Sequence, residues 1–313
     1  MMSLLRLGTR GSPLALAQTE ETKRRLMKAH PELSGEGAIE VVVIRTTGDR
    51  IQDRPLSEVG GKGLFTKEIE EALFDERIDV AVHSMKDMPT WPPEFLTIGA
   101  FLPREDPRDA FFSPHADTIS GLPNGTVVGT SSLRRQSQIL ALRPDLKVVS
   151  IRGNVDTRLR KLASGDVGAT LLALAGLRRL GRDDRQHSVL SSQEMLPAVG
   201  QGAIGLECRR KDDRTRALLG AIDHAETRVR VMAERACLAV LDGSCRTPIA
   251  ALAEVEAADV LYLRALVAMP DGSKVWRAEQ RGSVDAGEDL GRALGEELRA
   301  SAGEDFFKAL ASH

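Results

Sequence analysis

Aromatic side chains are scarce, at 4% of the sequence, with one tyrosine and two tryptophans. A nucleic-acid-binding surface combines a continuous basic face with interleaved aromatics. Neither is present, and the net charge is −2, so no nucleic-acid partner is expected and the molecule as a whole should not adhere to anionic lipid. No run of about 20 apolar residues occurs, which leaves no membrane span. The N-terminal residues 1–9 lack the apolar segment of a signal peptide, and a cytoplasmic location is expected. Cysteine is rarer still, at three residues. Cys208, Cys237 and Cys245 have no zinc-site spacing, no metal is expected, and an odd count argues against a disulfide framework. Cys208 and Cys237 fall in apolar patterns and read as core residues. Cys245 lies in the turn Asp242-Gly243-Ser244-Cys245-Arg246, where it is positioned to be exposed and partly ionised.

What is there suffices for two or three domains, with 313 residues of which 42% are hydrophobic. The chain is organised around Asp79–Pro89. Its first half is a β-branched strand. Its second half, His83-Ser84-Met85-Lys86-Asp87-Met88-Pro89, turns polar where a parallel strand would end, the place where such sheets bind ligands. A lone Lys86–Asp87 pair is also what a solvated turn looks like.

The chain before it reads as strand Leu4–Gly8, a helix to about Ala29 with Ser12 as N-cap and Pro13 at the first helical position, and strand Ile39–Thr46. Arg10 and the Ser12 hydroxyl at that helix N-terminus make an anion site; the plain alternative is a well-capped helix. A long loop carries Gly60-Gly61-Lys62-Gly63. It is not a phosphate-binding P-loop, since the first glycine and the Ser/Thr after Lys62 are missing. It reads either as a mobile lid whose Lys62 reaches an anionic ligand or as a solvated loop. Helix Thr66–Glu76 leads into the strand of the Asp79–Pro89 stretch and completes a β-α-β-α-β pattern, the mark of a parallel α/β domain; another strand, Phe95–Ala100, follows.

After a proline- and charge-rich linker at Pro103–Pro107 a second α/β pattern begins. Strands Asp109–Phe112, Thr126–Gly129, Lys147–Ile151 and Gly168–Ala173 alternate with helices. Three strand–helix junctions present arginine: Gly129-Thr130-Ser131-Ser132-Leu133-Arg134-Arg135, Arg152-Gly153-Asn154 with Arg158 one turn on, and Gly176-Leu177-Arg178-Arg179 early in its helix. Backbone N–H groups, hydroxyls and guanidinium groups suit carboxylate or phosphate. A faint internal echo joins Glu76–Ala81 to Gly165–Ala169, so two similar lobes with a cleft are expected. Leu196–Glu207 reads as a glycine-rich return to the first lobe. Gln201 there either meets a ligand or serves as hinge. Helix Asp223–Leu241 starts with a capping-box pattern, Asp223…Glu226. Ile249–Glu256, Val260–Met269 and Lys274–Gly282 read as an antiparallel meander, and helices at about Ala286–Ala300 and Asp305–Ala311 finish the chain.

The motifs Thr9–Ala15, Gly60–Phe65, His83–Pro89, Gly129–Gln136, Arg152–Asn154, Leu196–Gly205 and the Cys245 turn together resemble the porphobilinogen deaminase (hydroxymethylbilane synthase) family, in order and over essentially the whole chain. The resemblance implies an α/β fold: two periplasmic-binding-protein-like α/β lobes plus a C-terminal α+β domain with a three-stranded antiparallel sheet. The domains would be 1–103 with 200–220, 104–199, and 221–313. It implies a dipyrromethane cofactor on a thioether to Cys245, and head-to-tail polymerisation of four porphobilinogen molecules with loss of ammonia, then hydrolytic release of a linear tetrapyrrole for porphyrin and heme biosynthesis. Asp87 matches the catalytic carboxylate. Ser84, Lys86, Asp87, Thr130, Ser132, Arg134, Arg135 and Gly153 match cofactor-binding positions. Arg10, Ser12, Arg152, Arg158, Arg179 and Gln201 match substrate-binding ones, and Lys62 the lid. Arginine suits this because its planar fork pairs carboxylates bidentately. Glu58 departs from the lysine that some relatives carry. A monomer is expected. The competing class, a solute-binding protein with an arginine-lined cleft, has no need of Cys245 or of the third domain.

Overall fold

The computed structural model describes residues 5–50, 65–183, 187–241, 247–256, 259–304 and 306–307, with only the backbone of Asp49 and Arg50. In chain order it forms β1 (Leu5–Arg10), α1 (Pro13–Ala29), β2 (Ile39–Ile44), α2 (Thr47–Arg50), α3 (Lys67–Phe74), β3 (Val80–Ser84) and β4 (Leu96–Phe101). Then come β5 (Asp109–Phe112), β6 (Val127–Gly129), α4 (Leu133–Leu142), β7 (Lys147–Val149), α5 (Val155–Ala163), β8 (Ala169–Ala173), α6 (Leu174–Arg179) and β9 (Ser188–Val189). The chain ends with β10 (Ile204–Arg209), α7 (Asp213–Gly220), α8 (Ala225–Val240), β11 (Ile249–Val255), β12 (Val260–Ala268), β13 (Val275–Ser283) and α9 (Gly287–Ala302). It divides into two compact units, Met1–Glu105 with Gly202–Arg228 and Asp106–Gln201 with Val229–His313.

The first unit is built on a sheet of order β2-β1-β3-β10-β4, in which β1 runs parallel to β2 and β3 while β10 is antiparallel to both neighbours. The second unit repeats the order as β7-β6-β8-β5-β9, with β5 the reversed strand. The expected parallel α/β domain therefore has a mixed sheet. The reversed strand in each sheet is the one by which the chain enters or re-enters that unit. The second unit also carries an antiparallel β11-β12-β13 sheet. The fold class read from the sequence is the one observed.

Alternation along β3 serves both sheet faces. Val80 and Val82 pack with Leu5, Leu7 and Leu26 on one face, and Ala81 packs with Ile69 and Leu73 of α3 on the other. In the second unit Phe111, Val128, Ile139 and Leu171 share one core, and Leu263, Val267, Cys237, Leu294 and Leu298 another. Cys208 and Cys237 are buried and free. Burial pushes their thiols up, to about 11 and about 12, so they are inert core residues.

Capping follows the sequence at α1, where Ser12 Oγ accepts from Ala15 N at 3.2 Å; Asn154 Oδ1 caps α5 in the same way, accepting from Thr157 N at 2.9 Å. Two expectations are corrected. Helix α3 stops at Phe74, short of Glu76, because Glu76 adopts a left-handed φ of 55° and turns the chain toward β3. The Asp223…Glu226 capping box does not form. Asp223 accepts from Phe101 N at 2.7 Å and pairs with Arg228, and His224 Nδ1 takes the Thr227 N–H instead. A carboxylate gains more from a guanidinium plus an amide than from one helical N–H. Among the described residues no helix is long and apolar enough to cross a membrane.

Candidate active site

In the first unit β3 delivers the polar end of its stretch to the carboxyl edge of the sheet. Asp79, at the other end of β3, is a structural anchor, 2.8 Å from Arg6 and 3.2 Å from Arg209. At the carboxyl edge a concave pocket is lined by Arg10, Ser12, Gln18, His83, Ser84 and Asp87, among others. This is where parallel strands present ligand-binding groups. Arg10 lies over the ring of Phe65, its guanidinium carbon 4.1 Å from the centroid, which holds the fork in one plane. Ser84 Oγ accepts from Gln18 Nε2 at 3.1 Å, which leaves the hydroxyl proton to donate. Met85–Asp87 forms a single 3-10 turn that leaves Asp87 exposed and Lys86 half-buried. Gly205 on β10 makes room for that turn, since a Cβ there would lie 2.1 Å from Met85 Sδ. Behind the turn His83 Nε2 sits 3.1 Å from Glu207 Oε2, both residues buried.

In the second unit the three arginine-bearing junctions follow β6, β7 and β8, which are parallel neighbours, so they share one sheet edge. Thr130 Oγ1 accepts from Ser132 N at 3.2 Å, and Ser132 Oγ caps α4 at Arg135 N. Arg134 and Arg135 lie deeper than a surface site implies, each 5% exposed. Arg134 donates to Asp109 Oδ2 at 2.8 Å and to Leu196 O at 2.7 Å. Arg135 donates to both Asp109 oxygens, at 3.2 and 2.8 Å, and to Leu171 O at 2.9 Å. Burial alone would raise the Asp109 carboxyl, but the charges of Arg134 and Arg135 overcome it and hold the group well below the usual carboxylate range. Gln201, fully enclosed, donates to Asp109 Oδ1 at 2.9 Å and to Pro107 O. Two guanidinium groups on one carboxylate leave a positive charge in excess, and Arg134 Nε is buried with no partner among the described residues.

Gly153 has φ 114°, and a Cβ there would meet Thr157 at 2.6 Å, so only glycine fits. Its carbonyl accepts from Arg158 Nε at 3.0 Å, beside the half-buried Arg152. Arg179 is the last residue of a six-residue helix rather than early in a longer one. Lys62, Glu58 and Cys245 lie outside the described residues. Among the described residues no group of three metal-ligating side chains gathers.

In the sequence Asp109 reads only as a strand residue; its signal is a carboxylate opening an otherwise apolar run, with an arginine pair needing a counter-charge. His83 and Glu207 sit at positions 83 and 207 with nothing local to join them; only the β3–β10 pairing does.

Two family models cover the chain: "Porphobilinogen deaminase, dipyromethane cofactor binding domain" matches residues 5–217, and "Porphobilinogen deaminase, C-terminal domain" matches residues 228–300. The chain is 56% identical over 311 residues to a chloroplastic porphobilinogen deaminase of Oryza sativa subsp. japonica, covering 99% of this chain and 87% of that one. It is 57% identical over 303 residues to a porphobilinogen deaminase of Paracoccus denitrificans, covering 97% and 96%. Among solved structures, the periplasmic VFT2 domain of Bordetella pertussis BvgS superposes at TM-score 0.41 with 14% identity, covering 70% of this chain and 86% of that one. So distant a likeness carries no argument.

Proposed function

The chain belongs to the porphobilinogen deaminase family, and from that premise we propose which of its residues carry the family's chemistry. The activity is that of a transferase: four porphobilinogen molecules are joined head to tail with loss of ammonia on a dipyrromethane primer, and a linear tetrapyrrole is released by hydrolysis.

The observation that supports the assignment best is the Asp109 cluster. Its excess positive charge and the unpartnered Arg134 N–H suit a group that brings carboxylates, as a dipyrromethane with its acetate and propionate arms does. When bound, that group supplies the pyrrole ring to which the first substrate is added. Cys245 would hold it by a thioether. Ser84, Lys86, Asp87, Thr130, Ser132, Arg134, Arg135 and Gly153 hold its polar edges. Arg10, Ser12, Arg152, Arg158 and Arg179 take carboxylates of the substrate and of the lengthening chain, with Lys62 as a further contributor. Gln201 acts on the site by fixing Asp109.

Asp87 is the catalytic carboxylate. Exposed at the pocket's mouth, it accepts pyrrole N–H groups and offsets the positive charge that develops as ammonia leaves. Arg10, flattened on Phe65, presents a fixed fork, and Ser84 donates its free proton to the same ligand. The proposal extends to the three-domain division at 1–103 with 200–220, 104–199 and 221–313, to a cytoplasmic monomer, and to a small-molecule substrate with no nucleic-acid or membrane partner.

Asp87→Asn tests the chemical role. Turnover is expected to fall by about 100-fold or more while KM stays within about threefold. Equal losses in both would remove Asp87 from the chemical step.

A further inference from the structure

The sheet face under α3 holds a polar cluster that the assignment above does not use. His83 is paired with Gly205 in the β3–β10 register, so His83, Ala81 and Glu207 share one face, the face that α3 covers. Glu207 is fully buried; its Oε2 lies 3.1 Å from His83 Nε2, and its Oε1 has no partner among the described residues. Glu70 on α3 likewise has a buried Oε1 without a partner among the described residues. Burial pushes the Glu70 carboxyl up; Thr66 and His83 oppose the shift, and the charges of Glu207 and Glu71 add to it. Thr66 and Glu70 of the α3 segment lie near the pair, Glu71 is exposed beside Lys67 and acts on Glu70 only through its charge, and Arg10 and Asp87 line the same pocket as His83.

Buried polar atoms rarely go unsatisfied. Two carboxyl groups, each with a stranded oxygen, are reconciled when one of them carries a proton, directly shared or passed through a single buried water. Burial pushes the Glu70 carboxyl up, which favours the proton there. Glu207 is then the carboxylate, and its bond to Nε2 selects the tautomer with the proton on Nε2 and the lone pair on Nδ1.

We infer that His83, which lines the pocket, is a second proton-handling catalytic residue, with Glu207 as the positioning residue that sets its tautomer. The inference rests on the assignment of the pocket given above. Each addition breaks one C–N bond, whose electron pair leaves with ammonia, and forms one C–C bond to a ring carbon that then loses its proton. Nδ1 takes that proton and passes it to the departing ammonia, which leaves as ammonium. The cluster ends each cycle in its starting protonation state, and no further reactant is needed.

The test is Glu207→Gln in the full-length holoenzyme. Whichever way its amide turns, Gln removes the carboxylate charge that favours the Nε2–H tautomer and stabilises the protonated ring, which weakens Nδ1 as a base. Expected are retention of the covalent adduct by intact mass, KM within about threefold, kcat down by about 10- to 100-fold and a displaced kcat–pH profile. A structural role alone would lower stability without moving that profile. A kcat within about twofold of wild type on a superimposable profile overturns the proposal. The ring 15N shifts of His83 in the wild-type protein, assigned against His83→Asn, give an independent reading should the Gln variant not fold. The neutral ring protonated on Nε2 supports the proposal, and the neutral ring protonated on Nδ1 overturns it. Intact mass separates this from the underlying assignment: an adduct-bearing variant with unchanged kinetics removes the His83 role alone, whereas a wild-type chain with no adduct removes the assignment of the site.

Discussion

Replacing Asp109 by Asn strips the counter-charge from two enclosed guanidinium groups and leaves the shape nearly unchanged. Arg134 and Arg135 both donate to the same oxygen, Oδ2, at 2.8 and 3.2 Å, so their charges lie within about 6 Å of each other. At an effective dielectric of about 20 that is a repulsion of about 3 kcal/mol. Removing one partner of a buried ionic cluster costs about 3–5 kcal/mol, which agrees. For a unit of this size that corresponds to a fall in Tm of roughly 6–20 °C. The assay is thermal and urea unfolding of the cofactor-free and cofactor-bearing forms. The loss should be smaller in the loaded form, because its carboxylates supply part of the missing charge. The pH dependence carries a second sign. The Asp109 carboxyl is held far below its ordinary value by the charges around it. Its contribution is therefore present above about pH 4 and is lost as pH falls toward the folded value, so Asp109→Asn should lack that acid limb. A variant as stable as wild type, to within about 1 kcal/mol, with the acid limb intact would refute the reasoning.

Two further outcomes follow from particular positions. Glu70 is raised by burial, so the stability it contributes is present at low pH and is lost as pH rises through its folded value. Glu70→Gln should therefore gain stability at pH 8 relative to wild type, by less than about 1 kcal/mol because the group is partly solvated; a loss in urea unfolding at that pH would contradict this. Gly153→Ala must place a side chain at φ 114° with its Cβ 2.6 Å from Thr157, which should cost about 1–3 kcal/mol and weaken retention of the primer; an unchanged Tm would count against the close packing at that junction.

Much of the architecture was legible because local chemistry dictates it. Ser12 before Pro13, Asn154 before its helix and the β-branched run ahead of Ser84 each name an element and its end. Strand direction was not legible, because β10 carries the same apolar alternation whether it runs with β3 or against it. The capping error at Asp223 has the same root: its better partners, Phe101 N and Arg228, include one more than a hundred positions away. The site was legible as a set of residue types and less so as a geometry. Arg10, Ser12, Ser84 and Asp87 line one pocket. Arg134 and Arg135 turn inward, since the aspartate that draws them opens a different strand. His83 and Glu207 become visible as a pair only when β3 and β10 are placed side by side.

The central claim is that a primer is carried covalently on one sulfur. Intact mass of the natively purified, active chain, beside that of Cys245→Ser, tests it most directly. The account predicts the chain mass plus one two-pyrrole adduct for the native protein, and the bare mass with no turnover for Cys245→Ser. An active native chain at its bare mass, or an adduct that persists in Cys245→Ser, would contradict it.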